Sequence, residues 1–165
     1  MKIVNIKYSF LIVLMVMFSA VSNAQIAKAE IIATGLTCSM CSNAINKQLK
    51  SMPEVKNVEI DLNSNTFIVS LADNNLLSPS IFKEKVEKAG FFIGSLIVTV
   101  DSETLKKNSY VVVDGKESKN KEVQVQILDK GYVTDKEFKK LSKSYKNSTT
   151  YAMNNEMDFH IKIVK

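Results

Sequence analysis

Two cysteines are the side chains in this sequence best suited to bind a metal ion. Cys38 and Cys41 are the only cysteines, and they lie in the segment Gly-Leu-Thr-Cys-Ser-Met-Cys at residues 35–41. Two thiolates at this spacing can bind a soft ion such as Cu(I) or Zn(II), and the same pair can form a disulfide or exchange thiols. The spacing alone therefore predicts a metal, redox or disulfide site without choosing among them.

A helix is predicted from about Ser39 to Lys50, because Cys41, Ile45 and Leu49 recur at helical spacing. Cys41 is then expected in the first turn, with Cys38 in the preceding loop. Unpaired N–H groups at the start of a helix lower the pKa of a thiol and favour the thiolate. The pattern thus places both sulfurs near one point, in the form that binds metal.

The composition argues against several other kinds of site. A closed four-ligand zinc site needs two further ligands, and the chain has one histidine, His160. Because His160 alternates with Asp158 and Lys162, we expect it to be an exposed histidine with a structural role.

The formal net charge of +5 is modest and the basic residues are scattered, so nucleic-acid binding is not expected. No catalytic residue set is recognised, and the protein is expected not to be an enzyme.

Residues 1–24 have the pattern of a secretory signal peptide: Lys2 and Lys7, an apolar run at residues 10–18, and Ser-Asn-Ala at the end. The apolar run is shorter than the ~20 residues that span a bilayer, so no stable membrane span is expected in the mature chain. We therefore expect export, to the periplasm or outside the cell. A dithiol tends to oxidise there, so metal binding would require a reduced or metal-protected pair.

The pattern from residue 28 to residue 100 predicts strand, helix, strand, strand, helix, strand. The second and third strands alternate apolar and polar residues around an Asn-Ser-Asn turn at residues 63–65, which is typical of a hairpin. Ser78 and Pro79 are suited to begin the second helix, and Gly90 is suited to end it. This order predicts an α+β protein with a ferredoxin-like βαββαβ domain, two helices packing on one face of an antiparallel sheet.

Residues 35–41 and the segment Glu-Lys-Ala-Gly-Phe at residues 87–91 together resemble the heavy-metal-associated domain family. That family includes copper chaperones, the N-terminal modules of copper-exporting ATPases and periplasmic mercury-binding proteins. The resemblance implies that Cys38 and Cys41 are the metal ligands and that Phe91 packs beside their loop. It also implies that Met40 points to solvent. Leu36 stands where the family usually has a buried Met, and its similar volume should preserve the fold.

By this resemblance, the expected function is that of an exported Cu(I) chaperone or carrier. It would pass the ion by ligand exchange to a partner such as a copper-exporting ATPase or another thiolate carrier. Hg(II) scavenging is the alternative within the same class, and Zn(II) is a further candidate ion. A thiol-disulfide oxidoreductase is the alternative from a different class. Against it, Thr37 precedes the first cysteine where an aromatic residue would be expected, and both prolines are placed for helix ends.

Residues 101–165 lie beyond the resemblance and are predicted to form a small β-rich accessory unit with one helix. Residues 101–108 are polar and are expected to be a linker. Alternating residues predict strands near 123–127 and 157–163, and a capping box at Thr134 predicts the helix between them. A unit of this size is only marginally stable on its own, so we expect it to pack on the first domain or on a partner.

Overall fold

The computed structural model describes residues 26–37, 39–107, 110–116, 120–146, 150–151 and 158–164. The predicted signal peptide, residues 1–24, and Cys38 lie outside these ranges. Within them the elements are, in chain order, β1 (Ile26–Thr34), α1 (Ser39–Lys50), β2 (Val55–Asp61), β3 (Thr66–Leu71), α2 (Pro79–Lys88), β4 (Phe92–Asp101), α3 (Ser102–Lys107), β5 (Tyr110–Asp114), β6 (Glu122–Ile127), α4 (Asp135–Ser144) and β7 (Phe159–Ile163).

The first four strands form an antiparallel arrangement with β1 inside it. β1 pairs with β3 on one side and with β4 on the other, and β2 pairs with the outer edge of β3. The turn of the β2–β3 hairpin includes Asn65 at a φ of 52°, a conformation that asparagine tolerates. The elements follow the order predicted from the alternation, and the ferredoxin-like fold class is confirmed.

Both helices of this half pack a narrow apolar stripe into the core. Their fully buried residues are Ile45 and Leu49 in α1 and Phe82 and Val86 in α2. Helix α2 begins as predicted, since the Ser78 side chain accepts a hydrogen bond from the Ser80 N–H. After the helix, Gly90 adopts a φ of +88°, which a residue with a side chain rarely adopts, and the chain turns back into β4.

The C-terminal strands continue the same sheet. β6 pairs antiparallel with β4, β7 pairs antiparallel with β6, and β5 pairs parallel with β7. In the part of the chain that the structure describes, the result is one seven-stranded sheet in the order β2-β3-β1-β4-β6-β7-β5. Val123, Val125 and Ile127 of β6 belong to the same buried cluster as the residues of β1 and β4. The β-rich extension is thus present and packs on the first half, whereas the exact boundaries 28–100 and 101–165 stay predictions.

A short helix lies where a linker was expected. Residues 102–107 form α3, and the Asp101 carboxylate accepts a hydrogen bond of 2.8 Å from the Glu103 N–H in its first turn. Thr104 is buried and Leu105 packs against the core. A segment of this length is too short to show helical periodicity, so the sequence pattern does not reveal it.

Among the described residues, no helix is long and apolar enough to cross a membrane.

The prediction that His160 is exposed is wrong, because its side chain is 0% exposed. The Tyr151 ring packs edge-on against the imidazole, with 5.1 Å between ring centroids. Tyr151 in turn contacts Phe138 and Tyr145 at the two ends of α4. These aromatic rings therefore cover His160, which its alternation with Lys162 had predicted to be exposed to solvent.

Candidate metal centre

The structure places Cys41 at the start of α1, directly after the loop that leaves β1. Cys41 is the third residue of that helix and its side chain is half-buried. Aligned N–H groups in the first turn of a helix favour a thiolate there. Cys38 lies outside the described residues, so its assignment as the second ligand stays a prediction.

The loop before Cys41 is shaped by a glycine. Gly35 has a φ of +85°, and a Cβ at that position would lie 3.9 Å from Cδ1 of Phe91. Only glycine adopts this backbone conformation without strain, so the chain can turn from β1 towards the helix. Phe91 is half-buried and packs against the core, and it lies beside the loop as the family resemblance implied.

Two further loops meet the cysteine loop at the same end of the sheet. The Ala33 N–H donates a hydrogen bond of 3.2 Å to the carbonyl of Asn65 in the β2–β3 turn. On the other side, Thr34 Oγ1 donates to the carbonyl of Phe92 at the start of β4, at 3.3 Å. These bonds connect the end of β1 to both neighbouring loops. They fix the position of the residues from which the cysteine loop starts. A cavity of about 330 Å³ lies between the cysteine loop and the β2–β3 turn. Its lining residues are Leu36, Thr37, Ser39, Ser42, Leu62 and Asn65.

Met40 and Leu36 lie as the resemblance implied. The Met40 side chain is 80% exposed, so it points to solvent rather than into the fold. Leu36 is partly buried and packs against the core, in the role expected for the residue that replaces the family's usual methionine. Within the described part of the chain, no three His, Cys, Asp or Glu side chains come together as a metal-binding group.

A second polar cluster surrounds His160 in the C-terminal half. Its Nδ1 lies 2.7 Å from Oδ1 of Asp129, and its backbone N–H donates to Oδ2 of the same carboxylate at 2.7 Å. Its Nε2 lies 2.8 Å from Oγ1 of Thr150. Burial raises the pKa of the Asp129 carboxyl above its ordinary value. The imidazole is fully buried, and its bonds connect β7 to Asp129 and Thr150, so the cluster stabilises the C-terminal half.

Comparison with known proteins identifies the family of residues 30–92. Residues 30–92 match the family model described as the heavy-metal-associated domain. Among solved structures, the chain is similar to the yeast copper transporter domain Ccc2a, with 30% identity, 41% of this chain and 90% of that chain covered, and a TM-score of 0.36. It is also similar to the N-terminal domain of a potential copper-translocating P-type ATPase from Bacillus subtilis, with 33% identity, 41% and 82% covered, and a TM-score of 0.36.

No curated protein matches the chain. The segment matched by the family model runs from β1 to the first residue of β4 and includes both cysteines. Residues 30–92 therefore form a heavy-metal-associated domain, and the resemblance drawn from the sequence is confirmed for that segment.

Proposed function

We propose that this protein is an exported, non-enzymatic carrier of a soft metal ion, with Cu(I) as the preferred cargo. Cys38 and Cys41 would bind the ion as thiolates. One observation carries the proposal: the matched heavy-metal-associated domain contains both cysteines, and Cys41 lies in the first turn of α1, at the end of the sheet where three loops meet. Soft thiolate ligands favour Cu(I) over harder ions.

Ligand exchange is the transfer chemistry that two thiolates support. An ion held by two sulfurs has room for a third, so a thiolate of the partner can bind before either cysteine of this chain dissociates. The ion then moves between proteins without passing through solution as a free ion. A copper-exporting ATPase or another thiolate carrier has the type of ligand that this exchange needs.

The metal site is tested by replacing both cysteines. We expect Cys38→Ser combined with Cys41→Ser to abolish tight Cu(I) binding by the reduced protein, because no other thiols exist in the chain. The fold should be retained, since Cys41 is only half-buried. Native mass spectrometry with Cu(I), Zn(II) and Hg(II) in competition measures both the stoichiometry and the preferred ion.

Met40→Ser is the matched control, since Met40 lies between the cysteines and is exposed. It should change Cu(I) affinity by less than about threefold, or under about 0.7 kcal/mol. Undiminished binding by the double serine variant would overturn the assignment of the cysteines. Loss of binding in the Met40→Ser variant would instead identify the thioether as a ligand. A clear preference for Hg(II) would change the cargo but keep the site.

Export is proposed from the pattern of residues 1–24. Cleavage after Ala24 would give a mature chain that begins at Gln25. Mass spectrometry of the protein recovered from a cell fraction outside the cytoplasm tests this. A full-length chain confined to the cytoplasm would contradict export and leave the metal site unaffected.

A further inference from the structure

Helix α4 lies on the surface of the C-terminal extension, and none of its residues is fully buried. Its apolar side chains, Phe138, Leu141 and Tyr145, are half-buried. Phe138 and Tyr145 pack on the ring of Tyr151, with ring centroids 5.7 Å and 5.8 Å apart. The exposed lysines of this region are Lys136, Lys139, Lys140 and Lys143 in α4 and Lys146 directly after it. We call these five residues the lysine stripe.

The lysines of α4 project from one side of the helix. With 3.6 residues per turn, the four lysines within the helix fall inside an arc of about 100°. Phe138, Leu141 and Tyr145 fall on the opposite side, where the aromatic contacts with Tyr151 hold the helix against the rest of the molecule. The lysines therefore face away from the protein.

Helix α4 and the helices of the first domain lie on opposite faces of the sheet. Ile161 and Ile163 of β7 belong to the buried cluster to which α1 and α2 also contribute. Side chains alternate along a strand, so His160 points to the other face. Tyr151, on which α4 packs, contacts the His160 ring on that face. The lysine stripe is therefore separated by the sheet from the lysines of α1 and α2.

The stripe concentrates positive charge that no acidic residue of the chain neutralises. Residues 135–146 contain five lysines and two acidic residues, which gives a net charge of +3, more than half of the +5 of the whole chain. Within the described part of the chain, none of the five ammonium groups forms an ion pair with a carboxylate. Helix α2 is different, because Glu84 and Glu87 alternate with its lysines and Lys83 pairs with Glu87 at 4.0 Å.

The spacing of the stripe is unfavourable for the isolated helix. Lys136 and Lys140 are four residues apart, as are Lys139 and Lys143, so like charges adjoin along α4 and destabilise it slightly. A solvated helix face is usually stabilised by acidic residues at this spacing from the lysines, as between Lys83 and Glu87 in α2. The unpaired charge of α4 thus indicates a surface suited to an anion outside the chain.

We propose that the lysine stripe binds the surface of a membrane that contains anionic lipids. Helix α4 would lie along the headgroups without entering the bilayer, because its apolar side is already packed on Tyr151. An ammonium group is a compact, strongly hydrated point charge. It needs no fixed geometry in its partner, which suits a surface of many mobile headgroups. The inference goes beyond metal carriage and does not depend on it.

Other anionic partners fit the stripe less well. The buried centres of protein–protein interfaces are depleted in lysine and enriched in arginine and aromatic residues, and the stripe contains no arginine and no exposed aromatic side chain. Proteins that bind single-stranded nucleic acid stack bases on aromatic rings, whereas Phe138 and Tyr145 pack inwards on Tyr151. A diffuse anionic surface remains as the partner of matching chemistry.

Electrostatic adsorption of this kind has a measurable signature. Each lysine close to an anionic leaflet strengthens binding about fivefold. The attraction weakens as salt shortens the Debye length, from about 30 Å at 0.01 M to about 8 Å at 0.15 M. Binding should therefore depend on anionic lipid, on the position of the lysines and on salt.

The experiment measures co-sedimentation of the protein with vesicles of phosphatidylcholine that contain about 30% phosphatidylglycerol, and with vesicles of phosphatidylcholine alone. The chain used begins at Gln25. It retains every residue that the structure describes and lacks the apolar run at residues 10–18, which could enter lipid by itself.

A triple variant removes the charge of the stripe, with Lys139→Gln, Lys140→Gln and Lys143→Gln. The matched control combines Lys47→Gln, Lys50→Gln and Lys88→Gln. These three lysines are also exposed but lie on α1 and α2, so the change in net charge is the same and only its location differs. A third variant replaces the three stripe lysines by arginine, which keeps their charge.

We expect the parent chain to bind the anionic vesicles and not the neutral ones. Neutralising the three stripe lysines should weaken binding about 100-fold, because each contributes about fivefold. The control variant should stay within about threefold of the parent chain, since the sheet separates its lysines from the membrane and salt screens them. The arginine variant should bind as the parent does. Raising salt from about 0.02 M to about 0.5 M should release the protein. Urea unfolding of each variant confirms that the fold is retained.

Several outcomes would overturn the membrane surface. Equal binding to anionic and neutral vesicles, or binding that persists at high salt, would exclude an electrostatic contact. Equal losses in the two glutamine variants would show that net charge matters and the stripe does not. No binding to anionic vesicles would also contradict the proposal. In that case, stripe-dependent binding to polyglutamate or to an oligonucleotide, measured with the same variants, would assign α4 to an acidic protein or to a nucleic acid instead.

Discussion

His160 illustrates at the scale of a single residue how local pattern and tertiary structure can disagree. Alternation with Asp158 and Lys162 predicts exposure, yet both ring nitrogens have a partner and the ring is buried. The prediction could not succeed, because Asp129 is distant in sequence and Tyr151 lies in a segment with no periodic signal. By contrast, Cys41 could be placed from sequence, since helical spacing and the position of the loop are local properties.

His160→Ala should lower the free energy of unfolding by about 3–5 kcal/mol, because it leaves the buried Asp129 carboxylate without its imidazole partner. Urea unfolding measures the loss. Lys162→Ala on the same strand is the control and should cost under about 1 kcal/mol, since its ion pair with Asp114 is exposed. Cu(I) affinity should remain within about twofold for both variants. A marginal stability loss for His160→Ala would contradict a structural role for the cluster.

At the scale of elements, the strands and helices of residues 26–101 follow from the sequence because each carries its own periodicity. The β2–β3 hairpin and the Ser78 cap are local features that alternation and turn chemistry predict. The parallel pairing of β5 with β7 is different. It joins strands that flank β6 and α4 in sequence, and no local pattern records which edge a short apolar strand will occupy.

The pairing of β1 with β4 near the cysteine loop depends on a missing side chain. A Cβ at Gly94 would lie 2.6 Å from the Thr34 methyl group, so Gly94→Ala should cost about 1–3 kcal/mol through overpacking. Thr34→Ser removes that methyl group and keeps the hydroxyl that donates to the Phe92 carbonyl. The double variant should therefore recover part of the stability lost by Gly94→Ala alone. Thermal unfolding of the three variants tests this, and additive losses would show that the Thr34 methyl is not the obstacle.

The whole molecule is joined by β4, which pairs with β1 on one edge and with β6 on the other. Leu96, Val98 and Val100 of β4 lie in the same buried cluster as residues from both halves. Removing the extension would expose this apolar surface together with an unpaired strand edge. The C-terminal extension, which was expected to be only marginally stable on its own, is therefore stabilised because its strands continue the sheet of the first domain.

A shared sheet and core should make the two halves unfold together. Val69→Ala in β3 and Val125→Ala in β6 remove methyl groups from fully buried side chains, and each should cost about 2 kcal/mol. Both should lower the midpoint of the same transition when urea unfolding is followed by hydrogen exchange of peptides from either half. Val112→Ala in β5 is the exposed control. Two separate midpoints, each sensitive to one variant, would show independent domains.

The position of β5 at the edge of the sheet affects how the protein is made. Strands β1 to β4 can pair with one another as soon as they emerge, from the ribosome or from an export channel, and β6 can then pair with β4. Residues 110–114 must wait, because their neighbour β7 follows β6 and α4 in the sequence. Until then, a run of three valines has no partner and can pair with the wrong chain. A translation product that stops before residue 159 would leave that strand unpaired, so its sheet could not be completed.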